Sequence, residues 1–406
     1  MVKPYRPLNE KPAPLNLAWK FLAIIIACCG FIIATSQPAA GSSSTASASV
    51  AFGFGDVTIQ GPGKQPHLFF ACCDQGTKEM IALVSNAGMI AQLKTLNAGI
   101  AFAVSDFGPE HALAVRRLNE AGIPLVAWIE LPADQGVYMN AGNAAQASER
   151  FDEFEKWTAQ NQLQWAGVGL DIEPNFGSFR GGKWHILKML VKGAVNGGRV
   201  ERARVAYTAL IRRIHSRGYS VQTYQLPLIA TDRRVHSTMF ERTLGVVDVR
   251  GDLEALMIYT SLARSSSSAP IWEFGPGAQA IVVGVTLGSG DPAIDAMAPP
   301  LDWDQFSSDL IVASHYSQVV GVYDLEGCVK QGFLRLLVNF DWNQKVTIPG
   351  AAIRKISLLS FVIRSIIWIL SHLIYILLLA IILIAWFFWR RKKRAAASVP
   401  PELDPS

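Results

Sequence analysis

The sequence lacks the compact motifs of several enzyme classes. It contains no G-x-S-x-G nucleophile turn and no Walker-type phosphate loop, which excludes a typical α/β-hydrolase and a typical P-loop nucleotidase. Its seven histidines are scattered without the spacing of metal ligands. The sequence therefore predicts neither a metal site nor a bound cofactor.

Charge is also scarce. Charged residues make up only 17% of the 406-residue chain, whereas hydrophobic residues make up 50%. The net charge of +5 comes from one basic run, RRKKR at 390–394, without which the formal charge is zero. A broad basic face is therefore absent, and we expect no nucleic-acid partner.

The C-terminal part contains a long apolar run. Residues 365–389 contain no Asp, Glu, Lys or Arg, and the basic run begins the tail 390–406. About 20 apolar residues suffice for a helix to cross a bilayer. The sequence therefore predicts a transmembrane helix over 365–389, with the lipid bilayer as a partner.

The N-terminal part contains a second, shorter apolar segment. Residues 17–36 follow a basic tail, 1–16, and are predicted to form a transmembrane helix or signal anchor. A cleaved signal peptide and a lipoprotein acylated at Cys28 are the alternatives. All three interpretations place the middle of the chain outside the cytoplasm. The positive-inside rule then places both termini in the cytoplasm.

The middle of the chain alternates between strand and helix patterns. A Ser/Ala-rich linker, 37–56, precedes a folded domain at 57–342, and a juxtamembrane segment, 343–364, follows. Eight apolar segments in this domain have the length of strands, and each is followed by a crossover; one helix is predicted over 78–96. This order predicts a closed (β/α)₈ TIM barrel. An open doubly wound sheet is the alternative, but no glycine-rich loop follows the first strand.

The fourth strand ends with two carboxylates. Asp171 and Glu173 are two residues apart, so strand alternation points both to one face. Two close carboxylates repel as anions, and one therefore tends to keep its proton near neutral pH. A protonated carboxyl is what a general acid needs to protonate a leaving oxygen. Gly167 and Gly169 leave room beside the pair for another side chain or for substrate.

Other strand ends supply candidate substrate-binding residues. In a barrel the carboxyl ends of all strands meet at one rim. The candidates for sugar binding at this rim are Glu130, Tyr224, Tyr323 and Trp128.

The fourth strand resembles a known motif. WAGVGLDIEP at 165–174 is similar to the D-x-x-D-x-D-x-E strand of family 18 glycoside hydrolases, the chitinase group, and Asp171 and Glu173 match its last two acids. Ala166 and Gly169 occupy the first two acidic positions, so the motif is degenerate. Residues 257–260 resemble the M-x-Y-D motif of the same family, with Thr260 in place of Asp. Family 25 lysozymes carry a similar D-x-E.

The resemblance implies an activity and a role for three residues. It implies hydrolysis of an extracytoplasmic, N-acetylated polysaccharide by a retaining, substrate-assisted mechanism. Glu173 would be the general acid, Asp171 would orient the acetamido group, and Tyr259 would hydrogen-bond that group. In a rival two-carboxylate mechanism Glu130 or Glu326 would be the nucleophile. The alternative function is a catalytically inactive barrel that binds glycan or scaffolds envelope proteins.

Three cysteines lie outside the first apolar segment. Cys72 and Cys73 end the first predicted strand, and Cys328 ends the eighth. These strands are neighbours in a closed barrel, and thiols outside the cytoplasm tend to oxidise. We therefore expect a disulfide between Cys328 and either Cys72 or Cys73.

Overall fold

The fold is a closed barrel of eight parallel strands, shown by a computed structural model of the chain. The structure describes residues 55–74, 76–175, 188, 191–193, 196–288 and 298–397. The predicted TIM barrel is confirmed, and the open-sheet alternative is wrong because the first barrel strand pairs with the last.

The barrel strands coincide with the eight predicted apolar segments. Their interior positions are buried on both faces, because helices cover the outside of the sheet and side chains fill the inside. In chain order they are β2 (His67–Cys72), β3 (Gly99–Val104), β4 (Leu125–Ile129), β5 (Gly167–Ile172), β6 (Ser220–Gln225), β7 (Leu253–Met257), β8 (Ala280–Gly284) and β9 (Val319–Tyr323).

Helices follow the strands in most connections. The described ones are α1 (Thr77–Val84), α2 (Ala87–Thr95), α3 (Pro109–Glu120), α4 (Ala144–Asn161), α5 (Gly197–Ser216), α6 (Ile229–Arg234), α7 (Met239–Leu244), α8 (Ala269–Phe274), α9 (Trp303–Tyr316), α10 (Leu325–Lys330) and α11 (Phe333–Leu337). The single helix predicted over 78–96 is wrong. The Asn86 side chain accepts a hydrogen bond from the Met89 N–H and so begins a new helix, α2.

Two glycines make room for aromatic rings inside the barrel. A Cβ atom on Gly169 in β5 would lie 2.7 Å from the Tyr224 ring, and one on Gly321 in β9 would lie 2.4 Å from the Phe69 ring. The space predicted beside the carboxylate pair is therefore filled by a side chain, Tyr224. The rings of Tyr224 and Phe69 therefore lie inside the barrel, below the carboxyl rim.

The segment beyond residue 342 continues the folded structure. Strand β1 (Val57–Gln60) pairs antiparallel with β10 (Lys345–Ile348), apart from the barrel. Helix α12 (Gly350–Ser371) then packs against α8, and the Ser357 hydroxyl donates to the Glu273 carboxylate over 3.0 Å. Residues 343–364, assigned from the sequence to a juxtamembrane segment, thus contact the barrel.

The apolar C-terminal segment forms parts of two helices. Helix α12 ends at Ser371, and α13 (Leu373–Ala397) begins after His372, whose N–H donates to the carbonyls of both Trp368 and Ile369. Among the helices in the described ranges, none has both the length and the hydropathy required to cross a membrane. The N-terminal segments predicted over 1–16 and 17–36 lie outside the described residues.

Candidate active site

Asp171 and Glu173 lie at the carboxyl end of β5, where a returning loop extends the strand. The N–H of Met139 donates to the Asp171 carbonyl over 2.9 Å, and the N–H of Glu173 donates to the Met139 carbonyl over 3.0 Å. These two bonds form a parallel bridge that holds the backbone beyond Ile172 in an extended conformation. Glu173 therefore keeps the alternation of the strand and shares a face with Asp171.

A buried asparagine holds this loop. Asn143 donates from its side chain to the Tyr138 carbonyl over 2.9 Å, and its Oδ1 accepts from the Asn140 N–H over 2.7 Å. The Tyr207 hydroxyl donates to the Asn140 carbonyl over 2.9 Å from helix α5. Because these bonds tie the loop to the helix layer, Tyr138 has a fixed position beside the carboxylate pair.

Burial and repulsion keep protons on the carboxylate pair. Desolvation raises the pKa of Glu173 to about 8. Desolvation also raises the pKa of Asp171 well above its usual range, and the charges of Glu173 and Glu130 add to that increase. Asp171 is 3% exposed, and a hydrogen bond from the Trp128 side chain opposes the increase in its pKa. The pair therefore carries at least one proton at neutral pH.

Glu130 is a third buried carboxyl at the same rim. It follows β4, and desolvation, aided by the charge of Asp74, raises its pKa to about 8. Arg150 opposes the shift electrostatically, but its Nε donates to the backbone carbonyl of Glu130, over 2.9 Å, rather than to the carboxylate. Arg150 also donates to the Ser105 carbonyl over 2.7 Å. From helix α4 it therefore joins the segments that follow β3 and β4.

Aromatic side chains form the wall and floor around these carboxyls. The Trp128 ring centroid lies 6.4 Å from those of both Tyr224 and Tyr323, and Tyr259 lies 5.7 Å from Tyr323. Desolvation raises the pKa of Tyr259 well above its usual range, and the charges of Glu173 and Asp171 add to that increase. The Tyr224 hydroxyl donates to Gln222 over 3.0 Å, deeper in the barrel.

A second group of acids lies at the end of β9. The Tyr323 hydroxyl donates to Asp74 over 2.6 Å. Desolvation and the charge of Asp74 raise the pKa of Asp324 to about 7. Desolvation raises the pKa of Glu326 further above its usual range, with Asp324 as the largest electrostatic contribution. Asp324 also accepts from the Gly327 N–H over 2.7 Å and so begins helix α10.

The expected disulfide to Cys328 is wrong. Cys72 and Cys73 are bonded to each other, and Cys328 is a free, buried thiol. Cys328 lies inside helix α10 rather than at the strand end, and its Sγ is 3.8 Å from the Thr286 hydroxyl. Its side chain therefore contacts Thr286, which follows β8, and forms no bond to the two other cysteines.

One grouping in the described ranges has the proximity of metal ligands. The sulfurs of Cys72 and Cys73 and a carboxylate oxygen of Glu326 lie within 4.8 Å of one another. Metal binding by cysteine requires the thiolate, whereas these two sulfurs are joined in a disulfide. Glu326 instead accepts from the Cys73 N–H over 2.6 Å.

Thr260 belongs to a separate polar cluster behind the wall. Its hydroxyl donates to the carboxylate of Asp309, which also accepts from Ser268 and Gln305, each over 2.7 Å. Thr260 is 1% exposed and contacts the helix layer. The position that carries Asp in the chitinase motif therefore serves packing between β7 and α9 in this chain.

The structure brings the seven predicted site residues to one rim. They are Glu173, Asp171, Tyr259, Glu130, Tyr224, Tyr323 and Trp128. Sequence reasoning missed Tyr138, whose pKa is raised by desolvation and then by the charges of Glu173 and Asp171. Tyr138 lies in a loop without strand or helix periodicity. The only signal in the sequence is the presence of Gly136 and Asn140 on either side, which indicates a tight turn.

The protonated acids predict how stability depends on pH. The pKa of Glu130 is about 8 in the folded chain and ordinary in the unfolded chain, so the folded state holds its proton more tightly. The tighter proton binding at Glu130 contributes fully to stability at pH values below the ordinary pKa of glutamate. This contribution is lost as the pH rises to about 8. In urea unfolding of the full-length protein in detergent, the free energy of unfolding should fall from pH 5 to pH 8. For Glu130→Gln the fall should be smaller by roughly 1–3 kcal/mol. An unchanged fall would contradict the assignment.

Comparisons with known proteins do not identify the reaction. No sequence family and no curated protein matches the chain. A family 18 chitinase from Pseudoalteromonas aurantia is similar in structure, at 11% identity and TM-score 0.40 over 67% of this chain and 98% of that one. The PgaB (BpsB) glycoside hydrolase domain from Bordetella bronchiseptica is 10% identical, with a TM-score of 0.41, and the match covers 68% of this chain and 99% of that domain. A D-allulose 3-epimerase from Methylomonas sp. is 11% identical, with a TM-score of 0.35, and the match covers 66% of this chain and 86% of that enzyme. Because these scores are low and the enzymes differ, the likeness carries no argument about the reaction.

Proposed function

We propose that this protein is a membrane-anchored glycoside hydrolase that cleaves an extracytoplasmic, N-acetylated polysaccharide such as peptidoglycan. One observation carries the proposal. Asp171 and Glu173 face the same side of β5 at the barrel rim, and the pKa of Glu173 is raised to about 8. A general acid that is protonated at neutral pH is the central requirement for cleaving a glycosidic bond.

The proposed mechanism uses the substrate's own acetamido group. Glu173 donates its proton to the glycosidic oxygen as the bond to the anomeric carbon breaks. The acetamido oxygen attacks that carbon, so the first product leaves and a cyclic intermediate forms. Asp171 orients the acetamido group and stabilises its developing positive charge, while Tyr259 donates a hydrogen bond to it. Water then opens the intermediate, and Glu173 accepts the proton of that water.

The remaining wall residues are proposed to position the sugar. Trp128 is proposed to offer its ring for stacking, while its side chain also hydrogen-bonds Asp171 and so lowers the pKa of that carboxyl. Glu130 is proposed to bind a sugar hydroxyl, and the Tyr323 oxygen, whose own proton is donated to Asp74, is proposed to accept from another. Tyr224 is proposed to form the floor, because its hydroxyl is already bonded to Gln222.

A glycan-binding barrel without catalysis is the second candidate. Gly169 stands where the related motif has an acid, and the Tyr224 ring fills the adjacent space. Ala166, at the other missing acid, donates its N–H to the Leu125 carbonyl over 2.7 Å and offers no carboxyl. The pair therefore lacks the upstream charges that support it in the chitinase group.

An assay for new reducing ends distinguishes the two candidates. Full-length protein in detergent is incubated with N-acetylglucosamine oligomers and with peptidoglycan, and products are identified by mass spectrometry. We expect shortened oligomers from at least one of these substrates. Binding without any product would favour the inactive barrel, and absence of both binding and product would contradict a glycan site.

The membrane anchor is proposed from the C-terminal apolar segment. The described part of α13 exposes large apolar side chains, which water disfavours and lipid accepts: Tyr375, Leu379, Ile381, Ile382, Leu383, Ile384, Phe387 and Phe388. The basic run 390–394 follows directly, as expected on the cytoplasmic side.

This topology predicts a protease-protection result. With both termini in the cytoplasm and 57–342 outside, protease added to intact spheroplasts should digest the barrel and spare an epitope tag placed after Ser406. A tag on the outer side would be digested with the membrane sealed, and that result would contradict the proposed orientation. Detergent lysis provides the control, because both parts should then be cut.

A further inference from the structure

Helix α12 carries an exposed apolar face while it is still packed on the barrel. By their spacing, four exposed side chains lie on one side of the helix and form its outward face: Leu358, Phe361, Ile366 and Ile369. The exposed large apolar side chains in the described part of the barrel are isolated by comparison: Leu113, Val191, Val205 and Leu336. Single exposed apolar residues are normal on a protein surface, whereas a continuous apolar face marks an interaction surface.

The opposite side of α12 is held against the barrel. Its buried side chains include Ile353, Ile356, Ser360 and Ile367. Near the start of the helix, the Lys355 ammonium donates to the Ser265 hydroxyl over 2.8 Å. At its last residue, the Ser371 hydroxyl shares a hydrogen bond of 2.6 Å with the Ser237 hydroxyl. Because the helix is fixed along its length, its outward face does not turn towards the core.

The apolar surface continues from α12 into α13, the proposed membrane anchor. Only His372 separates the two helices, so the chain passes from the barrel into the anchor without a spacer. Consecutive residues of α13, from Ile381 to Ile384, expose apolar side chains, whereas α12 presents its outward face on one side only. At the junction the exposed Trp368 ring stacks on His372, with the ring centroids 4.6 Å apart. Tryptophan is enriched at membrane–water interfaces, so its position favours a membrane surface at this junction.

Charge also favours lipid as the partner of the outward face. The first turns of α12 expose Arg354 and Lys355, at the end of the helix away from α13. Basic side chains beside an apolar face are typical of helices that lie in the plane of a membrane surface. In that position the cations meet anionic headgroups while the apolar face enters the lipid.

We propose that the outward face of α12 lies in the surface of the bilayer and docks the barrel on the membrane. The inference rests on the proposed anchor, because α13 brings α12 to the lipid. The face reaches roughly 5–10 Å into the boundary between headgroups and acyl chains. Since α12 packs on α8, the α8 side of the barrel is the side that faces the membrane. The barrel therefore meets glycan that lies close to the membrane.

Photo-cross-linking identifies what covers the outward face. The full-length protein with Phe361→p-benzoylphenylalanine is reconstituted in vesicles of phosphatidylethanolamine and phosphatidylglycerol and irradiated, and mass spectrometry detects lipid adducts. The matched control is Leu113→p-benzoylphenylalanine, because Leu113 is also exposed but lies on α3. Helix α3 follows β3, which is four strands from β7 in the closed barrel, whereas α8 follows β7. We expect lipid adducts to be at least about tenfold more abundant at position 361 than at position 113. Equal yields at the two positions would overturn the inference.

The variant Phe387→p-benzoylphenylalanine, in α13, separates this inference from the anchor itself. Lipid adducts at both 361 and 387 are the expected result. Adducts at 387 but not at 361 would overturn the docking surface and leave the anchor, whereas adducts at neither position would contradict both. Cross-links from position 361 to a second copy, or to residues 17–36 of the same chain, in place of lipid adducts would also overturn the inference. Circular dichroism and the melting temperature of each variant show that the fold is retained.

Discussion

Replacing Glu173 by Gln is expected to lower the rate of glycan hydrolysis by about 10²–10⁴-fold. Gln has nearly the same shape and hydrogen-bonding reach, but it cannot transfer a proton. Desolvation raises the pKa of Glu173 to about 8, so the wild-type side chain is already neutral at pH 7. The substitution therefore removes the transferable proton without removing a buried charge, and the folded structure should be retained. Initial rates on N-acetylglucosamine oligomers measure the effect.

The pH profile gives a second signature of the same group. Hydrolysis by the wild type should decline above about pH 8, where Glu173 loses its proton. The control variant Glu149→Gln, which removes an exposed carboxyl on α4, should keep the wild-type rate and profile. If Glu173→Gln kept the full rate on every glycan that the wild type cleaves, another residue would have to be the acid.

Introducing the missing motif acid at Gly169 is expected to destabilise the protein rather than to improve it. A Cβ atom there would lie 2.7 Å from the Tyr224 ring and 3.4 Å from the Trp128 Cα. The Tyr224 ring cannot shift easily, because it is 5% exposed and packed beside Phe69 and Trp128. Gly169→Ala should lower the free energy of unfolding by about 1–3 kcal/mol. Gly169→Asp should lower it by about 3–5 kcal/mol, because it adds an unpaired buried charge.

The control for Gly169 is a glycine with open space around it. Apart from its chain neighbours, no atom of the described residues lies within 4 Å of a Cβ on Gly55, so Gly55→Ala should change stability by less than about 0.5 kcal/mol. Urea unfolding of the full-length protein in detergent compares the three variants. A stable Gly169→Asp protein with increased activity would show that the Tyr224 ring moves, and that this barrel accepts the chitinase arrangement after all.

The sequence was sufficient to predict the barrel because its strands are short apolar runs separated by helical spacing. The same regularity placed Asp171 and Glu173 on one face, since positions two apart in a strand always share a face. The sequence could not predict how the extra space at Gly169 is filled. The identity of the side chain that fills the space depends on the strand register, which places Tyr224 of β6 directly beside Asp171 of β5.

The errors in sequence reasoning arose where the backbone leaves regular structure. Cys328 was assigned to a strand end, but Asp324 begins a helix there and turns the thiol towards Thr286. Tyr138 was missed because its position depends on the buried side chain of Asn143, which bonds across the loop. Neither contact follows a periodic pattern, because each involves a residue outside the strands and helices: Thr286 in the first contact and Tyr138 in the second.

The role of Glu173 as the general acid is tested most directly by varying the leaving group. Wild type and Glu173→Gln are compared on an unactivated oligosaccharide and on a dinitrophenyl glycoside of the same sugar. The dinitrophenolate departs as a stable anion and needs no proton. The variant should therefore lose about 10²–10⁴-fold on the oligosaccharide and less than about tenfold on the activated substrate. An equal loss on both substrates, or no loss on either, would contradict the account.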